Sequence, residues 1–355
     1  MSHANSTLQI NKQYDLQIAY WLLACAAVIF GMILLGGVTR LTNSGLSMVE
    51  WKPLMGIIPP LNHADWQELF FKYKQFPEYQ KINMGMSLEE FKPIFMYEYL
   101  HRVLGRLIGV IFILPFLFFL ITKRIRAGLT PKLVLMLLGG GFQGLLGWYM
   151  VKSGLVDKPD VSQYRLTAHL GAAVLIYSFI LWTAFDLVTE KYEQPIALSG
   201  FAYALSGLIF LMILSGGLVA GTKAGFAYPT WPLMGDSFIP AGLYSMAPAW
   251  LSAFEDITTI QFNHRIFAYL IVALVLVFAA KTLKADIKGS AKTGVFCLIG
   301  LLILQVTLGV STLIFYVPVP VAAAHQVGAV ALLSASLFVS HCFANSGSHT
   351  VAQPN

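Results

Sequence analysis

The chain has 355 residues, 57% of them hydrophobic and 11% charged, with a mean hydropathy of +0.69. Soluble domains carry about a quarter charged residues, so the composition excludes a soluble globular protein and defines a polytopic membrane protein. The formal charge of +6 calls for no nucleic-acid partner, because the basic residues cluster in short loops between apolar runs. That clustering is how a membrane protein sets its orientation. The three cysteines, Cys25, Cys297 and Cys342, lie in apolar runs without CxxC spacing, which points to neither a disulfide framework nor a zinc site.

Residues 1–16 are polar and lack both the apolar core of a signal peptide and the arginines of a transit peptide. They are expected to form a cytoplasmic tail, and a bacterial inner membrane fits better than an organelle import route. A membrane span needs about 20 apolar residues. Eight runs meet this length, at 17–38, 97–122, 132–151, 164–188, 197–220, 261–283, 293–316 and 319–343. The connection after the second carries Lys123, Arg124, Arg126 and Lys132 and no acid. The one after the sixth carries Lys281, Lys284, Lys288 and Lys292 against Asp286 alone. Both belong on the cytoplasmic side, which places both termini there, including the tail 344–355. The neutral-to-acidic loop with Asp186, Glu190, Lys191 and Glu193 dissents mildly, but acids count little in this rule. The long connections 39–96 and 221–260 then face outward. Their stretches WKPLMGIIPP and WPLMGDSFIP read as amphipathic segments at the membrane interface, serving as anchors and packing or as a lid over an outer-face site.

The chain repeats itself. Gly36-Gly37, Thr42, Gly45 and WKPLMG match Gly216-Gly217, Thr222, Gly225 and WPLMG. His101-Arg102 matches His264-Arg265, Gln143 and Gly147 match Gln305 and Gly309, and His169 matches His325. Four consecutive spans match in order, and four is even, so the duplication is parallel with its axis along the membrane normal. The expected fold is all-α and integral to the membrane. Its eight helices form two pseudo-two-fold-related four-helix bundles, 17–190 and 191–343.

Of eight histidines, His3, His341 and His349 are terminal and His63 sits in the first long connection. The other four, His101, His169, His264 and His325, each stand a few residues into an even-numbered span, at similar depth near the outer surface. Ionisable groups at the edge of hydrocarbon are functional candidates by default. Two facing imidazoles per bundle suit axial ligation of a haem iron, with the porphyrin between helices. The bland reading has each histidine hydrogen-bonding across helices. Zinc would want three or four ligands, usually with Cys or carboxylate. Arg102 and Arg265 follow the ligand positions and could pair with haem propionates or snorkel to headgroups; Arg106 is a further candidate. Gln143 and Gln305 read as polar glue between helices.

Symmetry breaks at Glu98, three residues before His101 on the same helix face. The matching residue before His264 is Gln261. A carboxylate can take a proton and an amide cannot. The N-terminal half therefore reads as reactive and the C-terminal half as electron-transferring, unless Glu98 simply pairs with Arg102 or caps its helix.

From Gln17 to Phe343 the chain resembles the haem A synthase family, through GGVTRLTNSGLSMVEWKP, EYLHR, TAHLG, NHR and AAHQ. The resemblance implies an eight-span enzyme that oxidises the C8 methyl of haem O to a formyl group, through an alcohol and a hydrated aldehyde. The product, haem A, serves cytochrome oxidase. It further implies that His101 and His169 bind the substrate haem, that His264 and His325 hold a haem b cofactor, and that Glu98 is the essential carboxylate. Some bacterial members carry a cysteine pair in the first outer loop; this chain has none, and is similar to the proteobacterial and mitochondrial branch. Implied partners are haem O, an electron acceptor, haem O synthase and a second copy of the chain. Two rivals use the same residues: a two-haem b-type cytochrome that only relays electrons, and a non-catalytic haem carrier. The first has no use for a carboxylate in one half only, and the second lacks a polar track through the spans.

Overall fold

A backbone in hydrocarbon must satisfy its own hydrogen bonds, and the eight apolar runs do so as helices. The computed structural model describes residues 2–50, 58–154, 160–189, 196–285 and 287–344. Residues 51–57 of the first aromatic stretch, together with Glu190, Lys191, Glu193, Asp286 and 345–355, lie outside the described residues. The membrane helices are α1 (Ser2–Leu41), α4 (Leu88–Ile121), α5 (Leu129–Gly154), α6 (Gln163–Val188), α7 (Ile196–Gly221), α9 (Ile257–Lys284), α10 (Gly289–Ile314) and α11 (Val319–Cys342). All eight are long and apolar enough to cross a membrane. The first long connection adds α2 (His63–Tyr73) and α3 (Pro77–Lys81), and the second adds α8 (Ser252–Glu255).

Two helices overrun their expected spans. The polar stretch before the first span contains neither Gly nor Pro, so nothing stops α1 from running back to Ser2. Ser87 and Glu90 form a capping box in which Glu90 N donates to Ser87 Oγ and Ser87 N to Glu90 Oε2. That box starts α4 ahead of its apolar run. His101 consequently stands about two turns further from its helix start than His169, His264 and His325 do from theirs.

Within residues 1–190, α1 packs on α4 and α6, and α5 packs on the same two helices. After them the pattern recurs, with α7 on α9 and α11 and α10 on both. Contacts across the chain's middle join α6 to α7 and α11, and α1 to α11. Partly buried polar pairs fasten this seam, since hydroxyls and amides hold membrane helices together where apolar burial cannot. Tyr177 and Ser334 hydroxyls lie 2.8 Å apart, and Gln326 Nε2 donates to the Ile33 carbonyl at 2.9 Å. The apolar windows of α5 and α10 are only 6% and 11% buried, against 39% for α1 and α6. The third helix of each half is thus the least buried of its four membrane helices.

At the short-loop end His341, terminal in sequence, is fully buried. Its Nε2 lies 3.0 Å from Asp186 Oδ1, while Lys132 Nζ pairs with Asp186 Oδ2 at 3.2 Å. α6 and α11 are thereby tied together beside the α5 start.

The first long connection folds its helices onto the projecting turns of α4. Tyr73 stacks on Phe91 with centroids 4.9 Å apart, and Phe70, Phe95 and Tyr99 complete a second apolar core. Glu78 is buried within it, accepting from the Tyr73 hydroxyl at 3.1 Å. Burial pushes the Glu78 carboxyl up to about 7; the Tyr73 bond opposes this and the charge of Glu98 adds to it. In an unfolded chain the carboxyl titrates near 4.5. The folded state therefore favours the protonated acid, and this stability is fully present below pH 4.5 and lost as pH rises through about 7. The full loss is roughly 3 kcal/mol. Hydrogen exchange across α2 and α3, corrected for its intrinsic pH dependence, is expected to quicken between pH 4.5 and about pH 7. Glu78→Gln should flatten that rise; an unchanged profile in the variant assigns the effect to another group.

Candidate functional site

Glu98 is 3% exposed, which for a carboxylate demands partners. Its Oε1 pairs with Arg102 Nη2 at 2.5 Å, one helical turn on. Its Oε2 accepts from Ser47 Oγ at 2.8 Å and from the Met48 N–H at 2.7 Å. Arg102 also donates to the Met48 and Glu50 carbonyls, at 2.8 and 3.2 Å. The chain leaving α1 is thus folded over Glu98 and clamped by Arg102.

The second half repeats this clamp without the acid. Arg265 donates to the Tyr228 and Thr230 carbonyls at 2.8 and 2.9 Å, in the places Met48 and Glu50 hold in the first half. It also reaches the Leu233 carbonyl at 3.2 Å. Gln261, in the place of Glu98, donates from Nε2 to the Tyr228 carbonyl at 3.1 Å. The carboxylate accepts a loop N–H where the amide donates to a loop carbonyl, so one substitution reverses the local polarity. WPLMGDSFIP is irregular chain, and its Leu233 supplies one of these carbonyls. Neither guanidinium snorkels: the Arg102 side chain is 10% exposed and Arg265 is buried.

The even-numbered spans α4, α6, α9 and α11 carry the four imidazoles. His101 and His169 lie within electrostatic reach of each other, as do His264 and His325. Each ring lies against a glycine of the preceding span. A Cβ added at Gly36 would stand 3.0 Å from His101 Cε1, at Gly147 2.9 Å from His169, at Gly216 3.4 Å from His264 and at Gly309 2.7 Å from His325. Any side chain at Gly36, Gly147 or Gly309 would push the imidazole away. Gln143 and Gln305 donate to the backbone carbonyls of His169 and His325 at 2.9 and 3.0 Å, an interhelical role that also steadies the histidine-bearing turn.

These residues fit haem. Each half offers two imidazoles from non-consecutive helices, backed by glycines that let rings and backbone approach closely, as a flat macrocycle between helices requires. Among the described residues Arg265 Nε is a buried donor without an acceptor, a place a propionate would fill. No three His, Cys, Asp or Glu side chains gather anywhere among the described residues, which disfavours a three- or four-ligand metal site. The glycine backing, Ser47 and the seam at His341 escaped the sequence reading. The glycines were visible as repeat matches, but their contact with the histidines was not.

Fold and site define a polytopic helical membrane protein with two imidazoles in each half and, in the first half, the buried Glu98 one turn before the first of them. The chain belongs to the cytochrome oxidase assembly protein family (COX15-CtaA), whose pattern matches residues 19–337. It is 51% identical over 329 residues to a protein of Nitrosospira multiformis named heme A synthase, covering 91% of this chain and 92% of that one. It is 46% identical over 328 residues to a heme A synthase of Parvibaculum lavamentivorans, covering 91% and 93%. The bovine protein named heme A synthase COX15 is 42% identical over 340 residues, covering 93% of this chain and 82% of its own.

Proposed function

We propose that the chain is a haem A synthase, an oxidoreductase that converts haem O to haem A. The observation that carries this beyond its relatives' names is the asymmetry of an otherwise repeated site. Both halves present paired imidazoles and an arginine clamp, yet only the first holds a buried carboxylate beside them. A simple electron relay gives no reason for that difference.

In this reading the halves are pseudo-two-fold-related bundles, each with one haem. His101 and His169 orient the substrate haem O; His264 and His325 hold haem b. When bound, haem b supplies one-electron redox chemistry that no side chain can. Two two-electron oxidations, methyl to alcohol and alcohol to hydrated aldehyde, each take an oxygen from water and release two protons, and loss of water then gives the formyl group. Glu98 takes these protons, held in position by Arg102, Ser47 and the Met48 N–H. The same carboxylate can also stabilise positive charge developing on the substrate. Arg102 and Arg265 orient propionates; in support, the Arg265 Nε–H has no acceptor among the described residues. An electron acceptor outside the chain takes the electrons. Haem O synthase is the natural neighbour to hand over substrate, and a second copy of the chain a further partner. The loop charges support an orientation with both termini cytoplasmic and both haems towards the periplasmic side, in a bacterial inner membrane.

The test is haem extraction from membranes that make this chain and are supplied with haem O. Haem A in the extract is the expected result. Haem O and haem b alone, with a redox-active purified protein, would establish the electron relay instead.

A further inference from the structure

The four imidazoles differ in what their Nδ1 atoms touch. His264 Nδ1 lies 3.0 Å from Ser215 Oγ, and Ser215 immediately precedes Gly216, against which that ring lies. At the matching place in the first half, before Gly36, stands Leu35. His101 Nδ1 is buried there without a hydrogen-bond partner among the described residues.

An imidazole that binds iron through Nε2 carries its proton on Nδ1, and the group accepting that proton's hydrogen bond sets tautomer, ring plane and basicity. Leucine has no lone pair to offer. The other ligands do not reverse the contrast. His169 Nδ1 faces Gln143 Nε2 at 3.1 Å, and that amide's bond to the His169 carbonyl fixes it as a donor. A donor at Nδ1 favours the tautomer protonated at Nε2, which opposes ligation through Nε2. His325 Nδ1 has no partner among the described residues, so firm ligation in the second half falls to His264.

We propose that Ser215 is a positioning residue that makes His264 a permanent iron ligand, and that Leu35 in the equivalent place leaves His101 a labile one. The second half then keeps its haem through turnover while the first takes up substrate and releases product. This rests on the assignment of haem b to the second half.

The experiment uses the purified full-length protein and reads haem transfer to apomyoglobin and the midpoint potential of the retained haem. Ser215→Ala is expected to weaken haem b retention ~10–100-fold and to shift the potential upward, since a less basic ligand favours ferrous iron. Ser215→Thr should restore both. Leu35→Ser should slow transfer of haem from the first half. If Ser215→Ala does not accumulate, Ser215→Cys, close in volume but a poor acceptor, is read in its place. Wild-type retention and potential in Ser215→Ala overturn the proposal. Full haem b in His264→Ala overturns instead the site assignment beneath it.

Discussion

Glu98→Gln is expected to abolish haem A formation while leaving the protein folded and haem b bound. Removing one partner of a buried ion pair ordinarily costs about 3–5 kcal/mol, which would confound the result. The second half shows why it does not here. Gln261 and Arg265 occupy the same places, with the amide donating to a loop carbonyl and the guanidinium held by three carbonyls. In the variant Arg102 keeps the Met48 and Glu50 carbonyls, and the new amide can bond the loop as Gln261 does. What disappears is a group able to take a proton beside the substrate imidazole, a loss of ~10²–10⁴ in rate for general acid–base catalysis. Haem A yield at fixed haem O supply, measured with the haem b content of the purified protein, separates the outcomes. Undiminished yield removes Glu98 from the mechanism; parallel loss of haem b makes it structural.

The two histidine pairs should fail differently. Among the described residues His264 is the only one of the four imidazoles with an oxygen partner at its Nδ1, and no group of three His, Cys, Asp or Glu offers a substitute for it in His264→Ala. Haem b affinity is expected to fall by more than ~100-fold, beyond the loss typical of a disturbed ligand partner, and activity with it. His101→Ala should keep haem b, with its absorption spectrum intact, and lose binding of haem O. Because Gly36 backs the ring and Glu98 lies one turn away, the alanine leaves a gap between α1 and α4 without disturbing the clamp. If His101→Ala loses haem b and His264→Ala keeps it, the assignment of substrate and cofactor halves is reversed.

Hydropathy, the duplication and the Glu98–Gln261 difference are local properties of the chain, and the sequence alone determined them. A span is a run of about 20 apolar residues, so all eight were legible, with errors where a capping box or an unbroken polar stretch extended the helix. The histidines could be paired because a parallel repeat puts like positions in like places. The tertiary structure alone decided what each of these residues touches. Arg102 and Arg265 are loop clamps, Gly36, Gly147, Gly216 and Gly309 are the surfaces behind the imidazoles, Ser215 meets His264, and His341 lies buried against Asp186. The physical reason is that hydropathy shows how far a helix sits in apolar surroundings but not its rotation about its axis. That rotation follows from close packing of small residues and a few interhelical hydrogen bonds, and it is settled only when all the helices meet.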